Sequence, residues 1–171
     1  MLTGSISGLG SQYVISLDAV NCRTGDSIAR QQAEALNKEG VLKALGEATG
    51  NLRLKLGESL ASIKKYDAPV ERATTSSLEA LKAYTAGVGL RYRGEESKSA
   101  PFFMKAIELD PNFALAYYNL AWIHQNGGEA ELAREDSTLG FERRDRASEV
   151  EKLAIDSQYH SIVTGDSRKA I

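Results

Sequence analysis

Cysteine occurs once in these 171 residues, as Cys22, and histidine twice, as His124 and His160. One thiol excludes an intramolecular disulfide framework and a cysteine-based zinc cluster, and two histidines are too few for a histidine-rich metal site. No metal and no cofactor is therefore expected. No apolar run approaches the roughly 18–20 residues that a bilayer-crossing helix needs. The opening MLTGSISGLGSQ lacks the basic-then-apolar order of a signal peptide. A soluble chain, with no membrane insertion within it, is the expectation. Nor is there an excess of positive charge: 21 Lys and Arg stand against 23 Asp and Glu. That balance argues against a dedicated nucleic-acid partner, although a local basic face can hide inside an average.

The two ends are abrupt. Residues 2–9 already read as a strand, and the closing GDSRKAI stops inside a helical pattern. A fragment of a longer protein, or a truncated gene product, is expected from this.

What is present begins with alternation. In QYVISLDAV (12–20), Tyr13, Ile15, Leu17 and Ala19 alternate with Val14, Ser16, Asp18 and Val20, the period of a strand with one better-buried face. Thr24-Gly25-Asp26 supplies turn chemistry. Residues 27–35, SIARQQAEA, are compatible with a helix on propensity, but a turn so soon after a strand favours a hairpin. LTGSISGL (2–9) makes a third strand. Asn37 then reads as a helix N-cap. Val41, Leu42, Leu45, Ala48, Leu52, Leu56, Leu60 and Ile63 form one apolar stripe of about six helical turns. The N-terminal part, residues 1–66, is thus an α+β unit: a three-stranded antiparallel sheet with one long helix on one face, parts of its sheet edge missing. Pro69 breaks the pattern, and Thr74-Thr75-Ser76 offers a new cap, so 67–76 reads as a linker.

From residue 77 onward the pattern is helical and it repeats. Gly94-Glu95 and Gly128-Glu129 lie 34 residues apart, and Gly165-Asp166 follows 37 residues later. A period of 34 is the length of the tetratricopeptide repeat, a pair of antiparallel helices. At the level of residues, the segment 80–113 resembles that repeat through Gly87, Gly94, Phe103, Ala106 and Pro111, with Ser99 at a position usually Ala. The segment 114–147 resembles it through Tyr117, Leu120, Ala121, Gly128 and Ala133; His124, Gly140 and Asp145 depart from the usual Tyr, Ala and Pro. A third unit, 148–171, is truncated. The fold expected for 77–171 is an all-α tetratricopeptide helical-repeat array. With the third repeat cut short, Leu153, Ile155, Tyr159, Ile162 and Ile171 are expected to lack part of their cover, predicting a frayed C-terminus or self-association through it.

Taken together, LGSQYVISLDAVNCRTGDSIARQQAEA, the VLKAL…LRLKLGESL helix, ATTSSLEALKAY and PFFMKAIELDPNFALAY resemble one arrangement. It is the TolB-like/tetratricopeptide region C-terminal to the kinase domain of bacterial eukaryote-like serine/threonine protein kinases. The resemblance implies a sensory or interaction module, extracytoplasmic where it follows a membrane anchor. It implies no activity. The chain has no kinase GxGxxG loop, HRD-type catalytic loop or DFG, and Gly4 to Gly10 lacks the Lys-Ser/Thr ending of a phosphate loop.

No catalytic constellation stands out. Cys22 and the histidines belong to different domains, and Glu95-Glu96 and Glu149-Glu151 read as turn and solvated-face residues. Glu142 to Arg146 reads as a solvated connector, or a site for an acidic group. The resemblance does imply a groove. The first helix of each tetratricopeptide repeat lines a concave surface, and those positions here hold Leu81, Tyr84, Thr85, Val88 and Arg91, then Leu115, Tyr118, Asn119, Trp122 and Gln125. Tyr84, Arg91, Tyr118, Asn119, Trp122 and Gln125 are the candidate peptide contacts. Asn119 falls where peptide-clamping members hold a carboxylate or main chain, while Thr85 and Asp156 occupy the equivalent places elsewhere. Packing of Trp122 against a neighbouring repeat or the N-terminal unit is the competing reading. The expected partner is a protein or peptide; the alternative is a structural role in which the array dimerises or positions an attached catalytic domain.

Overall fold

Alternation of apolar side chains along residues 12–20 sets the first unit. The computed structural model describes residues 1–66, 75–166 and 168–169, and the chain divides into two compact units, 1–71 and 72–171. The linker expected over 67–76 lies, for residues 67–74, outside the described residues. Three strands, β1 (Leu2–Leu9), β2 (Gln12–Val20) and β3 (Ser27–Ala35), form an antiparallel sheet in that order. Segment 27–35 is a strand because its alternate alanines suit the sheet: Ala33 stands opposite Ile15 and Ala29 opposite Ala19. This face is closed by helix α1 (Val41–Lys55), whose Ala48 and Leu52 bury against Leu17 and Ala19.

The long helix expected after Asn37 is divided. Asn37 caps a short 3-10 turn, its Oδ1 accepting from the Gly40 N–H at 3.0 Å. Helix α1 ends at Lys55, with Leu56 as its C-cap, and α2 (Leu60–Tyr66) starts afresh. The break is at Gly57, whose φ of 92° no continuing helix allows. Leu56 and Leu60 are consequently exposed, while Ile63 is buried. The corner is tied by Glu58, which accepts two hydrogen bonds from Arg53, both at 2.6 Å, and one from the Ser62 hydroxyl at 2.7 Å.

In the second unit the helices are α3 (Leu78–Tyr92), α4 (Glu96–Leu109), α5 (Ala114–Asn126), α6 (Ala130–Glu142) and α7 (Glu149–Tyr159), followed by a π-helical turn over His160–Thr164. The α3 cap is Ser77, one residue beyond the Thr74–Ser76 triplet; its hydroxyl accepts from the Ala80 N–H at 3.2 Å. Helix α7 starts with a full capping box between Ser148 and Glu151. α3 packs on α4, and α5 on α6, across turns in which Gly94 and Gly128 take φ of 77° and 79°. A side chain at Gly87 would meet the Phe103 ring at 2.9 Å, so α3 and α4 touch through the absence of one. Gly140 plays the same part between α6 and α5.

The C-terminal stripe departs from expectation in part. Leu153 is 69% exposed, but Ile155 is fully buried. Tyr159 stacks on Phe141 with ring centroids 4.0 Å apart. Ile155 and Tyr159 lie one turn apart on one face of α7, so both are covered while Leu153 faces away. Ile171 lies outside the described residues.

Two tests follow from this packing. Gly87→Ala forces overlap with Phe103 and is expected to cost about 1–3 kcal/mol, whereas Gly50→Ala in α1, where a side chain meets open space, is expected to stabilise by about 0.5–1 kcal/mol. Denaturant titration followed by hydrogen exchange in each helix reads both. For the corner, hydrogen bonds from Arg53 and then Ser62 hold the Glu58 carboxyl down to about 2, from an ordinary 4.5. A depressed folded-state value means the tie contributes fully above 4.5 and is lost as pH falls from there through about 2. Protection of the 53–63 amides is therefore expected to decline across that window, and Glu58→Gln to remove the decline.

Candidate protein-interaction groove

Neighbouring residues on α5 point about 100° apart, and the candidate residues divide accordingly. Asn119 turns inward and is 3% exposed. Its Nδ2 donates to the Tyr84 hydroxyl at 3.2 Å and to the Leu115 carbonyl at 2.7 Å, and its Oδ1 accepts from the Arg91 guanidinium. Tyr84 and Arg91 both come from α3, so one amide joins the first helices of two repeats. The Tyr84 ring lies against Phe103 and Phe113, with centroids 5.6 and 4.8 Å away. Burial pushes its phenol up from the ordinary value, opposed by the Asn119 hydrogen bond. Thr85 returns its hydroxyl to the Leu81 carbonyl at 2.8 Å.

Tyr118, Trp122 and Gln125 turn the other way. They line a groove of about 560 Å³ together with Ala130 and Arg134 of α6, Gln158 of α7 and Ile162 of the π turn. Trp122 is 39% exposed, which leaves much of its indole free. Arg134 brings the charge; it reaches Glu131 at 3.9 Å, an exposed i,i+3 contact worth little. Gln158 is buried and donates to the Tyr118 carbonyl at 2.9 Å, while its Oε1, also buried, has no hydrogen-bond partner among the described residues. Sequence reasoning named the α5 wall and missed Arg134, Gln158 and Ile162. The π turn is what swings Ser161 and Ile162 to the groove, and no period in the sequence announces it.

The other candidate groups are structurally employed. His124 Nδ1 lies 2.7 Å from Asp136 Oδ2, tying α5 to α6, with Glu129 at 3.7 Å from its other nitrogen. Burial raises the Asp136 carboxyl, and its contact with His124 opposes that shift. His160 contacts the Thr164 hydroxyl at 3.2 Å. Cys22 is exposed and lies 3.2 Å from the terminal amine. In the run 142–146, Arg143 donates to the Pro111 and Leu139 carbonyls, both at 2.9 Å. Arg144 lies over the Phe141 ring at 3.5 Å and pairs with Asp156 at 2.7 Å. Among the described residues no group of His, Cys, Asp and Glu could hold a metal ion, and no helix is long and apolar enough to cross a membrane.

A family model described as the tetratricopeptide repeat matches residues 102–135, from α4 through α5 into α6. Over that stretch the chain carries a tetratricopeptide repeat. Comparison with curated proteins gives no match. Tetratricopeptide repeats generally mediate protein–protein interaction, and the matched stretch supplies Tyr118, Trp122, Gln125 and Arg134 of the groove.

Asn119→Ala would strip the Tyr84 hydroxyl and the Arg91 guanidinium of a shared partner. A loss of about 2–4 kcal/mol is expected from leaving these part-buried groups unpaired, against about 1 kcal/mol for Tyr84→Phe, which removes one hydrogen bond. Chemical denaturation of the two variants checks the ratio.

Proposed function

We propose that this chain is a non-catalytic protein-interaction module that binds an extended polypeptide segment in the groove between α5, α6 and α7. The observation that carries the reading is the pair of half-buried Tyr118 and exposed Trp122, two aromatics one turn apart lining a concave site. Aromatic side chains in such positions supply large contact area at low entropic cost and dominate many interfaces. Arg134 beside them fits an acidic group on the segment, and the unpaired Gln158 Oε1 of the same groove favours a ligand that brings N–H donors. A polypeptide offers all three: an apolar side chain, a carboxylate and main-chain amides. In this reading Tyr84, Arg91 and Asn119 support the groove from behind by fixing α3 against α5.

The wider setting follows from the resemblance to the TolB-like/tetratricopeptide region of bacterial serine/threonine kinases. It makes the chain the sensory or interaction part of a bacterial signalling protein, extracytoplasmic where a membrane anchor precedes it. A second reading is structural: the array self-associates or positions an attached catalytic domain. Val150 and Leu153, both prominently exposed on α7, favour it.

Trp122 is the one tryptophan in the chain, so its fluorescence reports on the groove directly. Titration with a panel of peptides carrying an acidic residue beside an aromatic or aliphatic one is expected to shift and protect its emission. Trp122→Ala is expected to weaken binding by about tenfold or more, with circular dichroism unchanged, and Arg134→Gln to weaken the acidic peptides selectively. Emission and quenching that stay constant across the panel would favour the structural reading instead.

A further inference from the structure

The three-stranded sheet of the first unit has two edges, and they are built differently. Met1 and Val20 exchange backbone hydrogen bonds, each 2.8 Å long. In an antiparallel ladder hydrogen-bonded pairs alternate with non-bonded ones, so the odd-numbered residues of β1 face β2. The N–H and C=O groups of Leu2, Gly4, Ile6 and Gly8 point away from the sheet. By the same alternation the odd-numbered residues of β2 serve β3, and Arg30, Gln32 and Glu34 present the outer groups of the other edge.

That β3 edge is guarded. Lys55, from the last turn of α1, donates its ammonium to the outward Arg30 carbonyl at 2.7 Å. Arg30 and Glu34 put charge along the strand, and the pairing register shifts at Ala19/Val20. A lysine, charges and a bulge are the devices by which sheet edges avoid pairing with other chains. The β1 edge has none of them. Residues 1–11 contain no charged side chain and no proline, the register with β2 runs unbroken, and every residue of the strand is exposed. Helix α1 lies over β2 and β3. Leu2 and Ile6, which share a sheet face with the buried Ala19 and Ile15, are left 61% and 46% exposed.

We propose that β1 is a docking edge for a second copy of this chain, the two β1 strands pairing antiparallel about a two-fold axis at Gly4. The strand is complementary to itself in this register. Leu2 meets Ile6 of the second copy, so each uncovered apolar side chain gains an apolar partner. Gly4 meets its own equivalent at the axis, and on the opposite face the Thr3 hydroxyl meets that of Ser5. All outward-pointing backbone groups in the overlap find donors or acceptors, and no charged side chain opposes another. Symmetric pairing of this kind closes after two copies and leaves the guarded β3 edges outermost.

The full chain is expected to sediment as a reversible dimer. Amides of Gly4 and Ile6 gain hydrogen-exchange protection as concentration rises, while those of Arg30 and Gln32 stay unchanged. Leu2→Lys and Ile6→Glu are each expected to weaken the dimer by about tenfold, since two cross-strand pairs are lost per dimer. In the doubly substituted chain opposite charges face each other twice, and association is expected to recover. Far-UV circular dichroism and exchange in α1 check folding, and the wild-type protection pattern needs no variant to fold. A chain that remains monomeric across the micromolar range, a dimer indifferent to Leu2→Lys, or a double substitution no better than the singles would each overturn the proposal.

Discussion

Everything in the repeat unit depends on how closely the two helices of a pair can approach. Gly87 has no side chain where Phe103 fills the space, and Gly140 leaves the same room against Ala114 and Tyr117. With the pair drawn together, Phe103, Ala106 and Phe113 become fully buried, and the next helix can be laid on. The face that α5 shows to solvent follows from this. Once Ala116, Leu120 and Ala121 are committed to packing, helical geometry leaves Tyr118, Trp122 and Gln125 on the side that opens toward α7. The groove is thus a by-product of where small residues stand, and Trp122 stays exposed, with Tyr118 half-buried beside it, because the tight face is already full.

Apolar contact alone would let stacked helices slide. Polar contacts within and between repeats fix the register. Asn119 satisfies Tyr84 and Arg91 from the preceding repeat, and Thr75 donates to Asp110 at 2.5 Å, with Arg146 approaching the same carboxylate at 3.9 Å. Gln158 donates to the Tyr118 main chain, so the third first-helix is keyed to the second. Each such group is costly if displaced, because a buried donor or acceptor without a partner loses its hydration and gains nothing. Among the described residues Gln158 Oε1 is one of the buried polar atoms left without a hydrogen-bond partner, as are Arg91 Nε and Ser137 Oγ, and Gln158 belongs to the groove.

The sequence was most legible where one physical rule governs. Period-2 alternation placed the central strand, the turn at Thr24-Gly25-Asp26 placed its hairpin partner, and a 34-residue spacing of turn glycines placed the helical pairs, because strand pleat, turn chemistry and repeat length each leave a direct trace. Where two rules compete, the trace fades. The stripe from Val41 to Ile63 reads as one helix by spacing, yet Gly57 in a left-handed conformation ends it, since turn chemistry overrides periodicity. Asn119 and Tyr118 are adjacent and both fit a groove pattern by resemblance; which one turns inward depends on what α3 brings alongside. Arg134 and Ile162 were invisible as groove residues because they arrive from a second helix and an irregular turn.

The two proposed recognition surfaces differ in what they would demand of a partner. The groove is made of side chains, so any preference it has would lie in Trp122, Tyr118 and Arg134 and would be retuned by substitution there. The β1 edge is made of backbone, and its donors and acceptors are fixed by the pleat whatever side chains it bears. Selectivity there can come solely from register, from steric bulk and from the absence of guarding charges. Glycine at positions 4 and 8 suits such a role: it costs the strand intrinsic stability, yet lets another backbone approach closely. Leu17 already overlies Gly4, with its Cδ2 3.0 Å from where a side chain would begin. A larger residue at position 4 would have to displace the Leu17 side chain on the helix side, while the outer edge of the strand stays open.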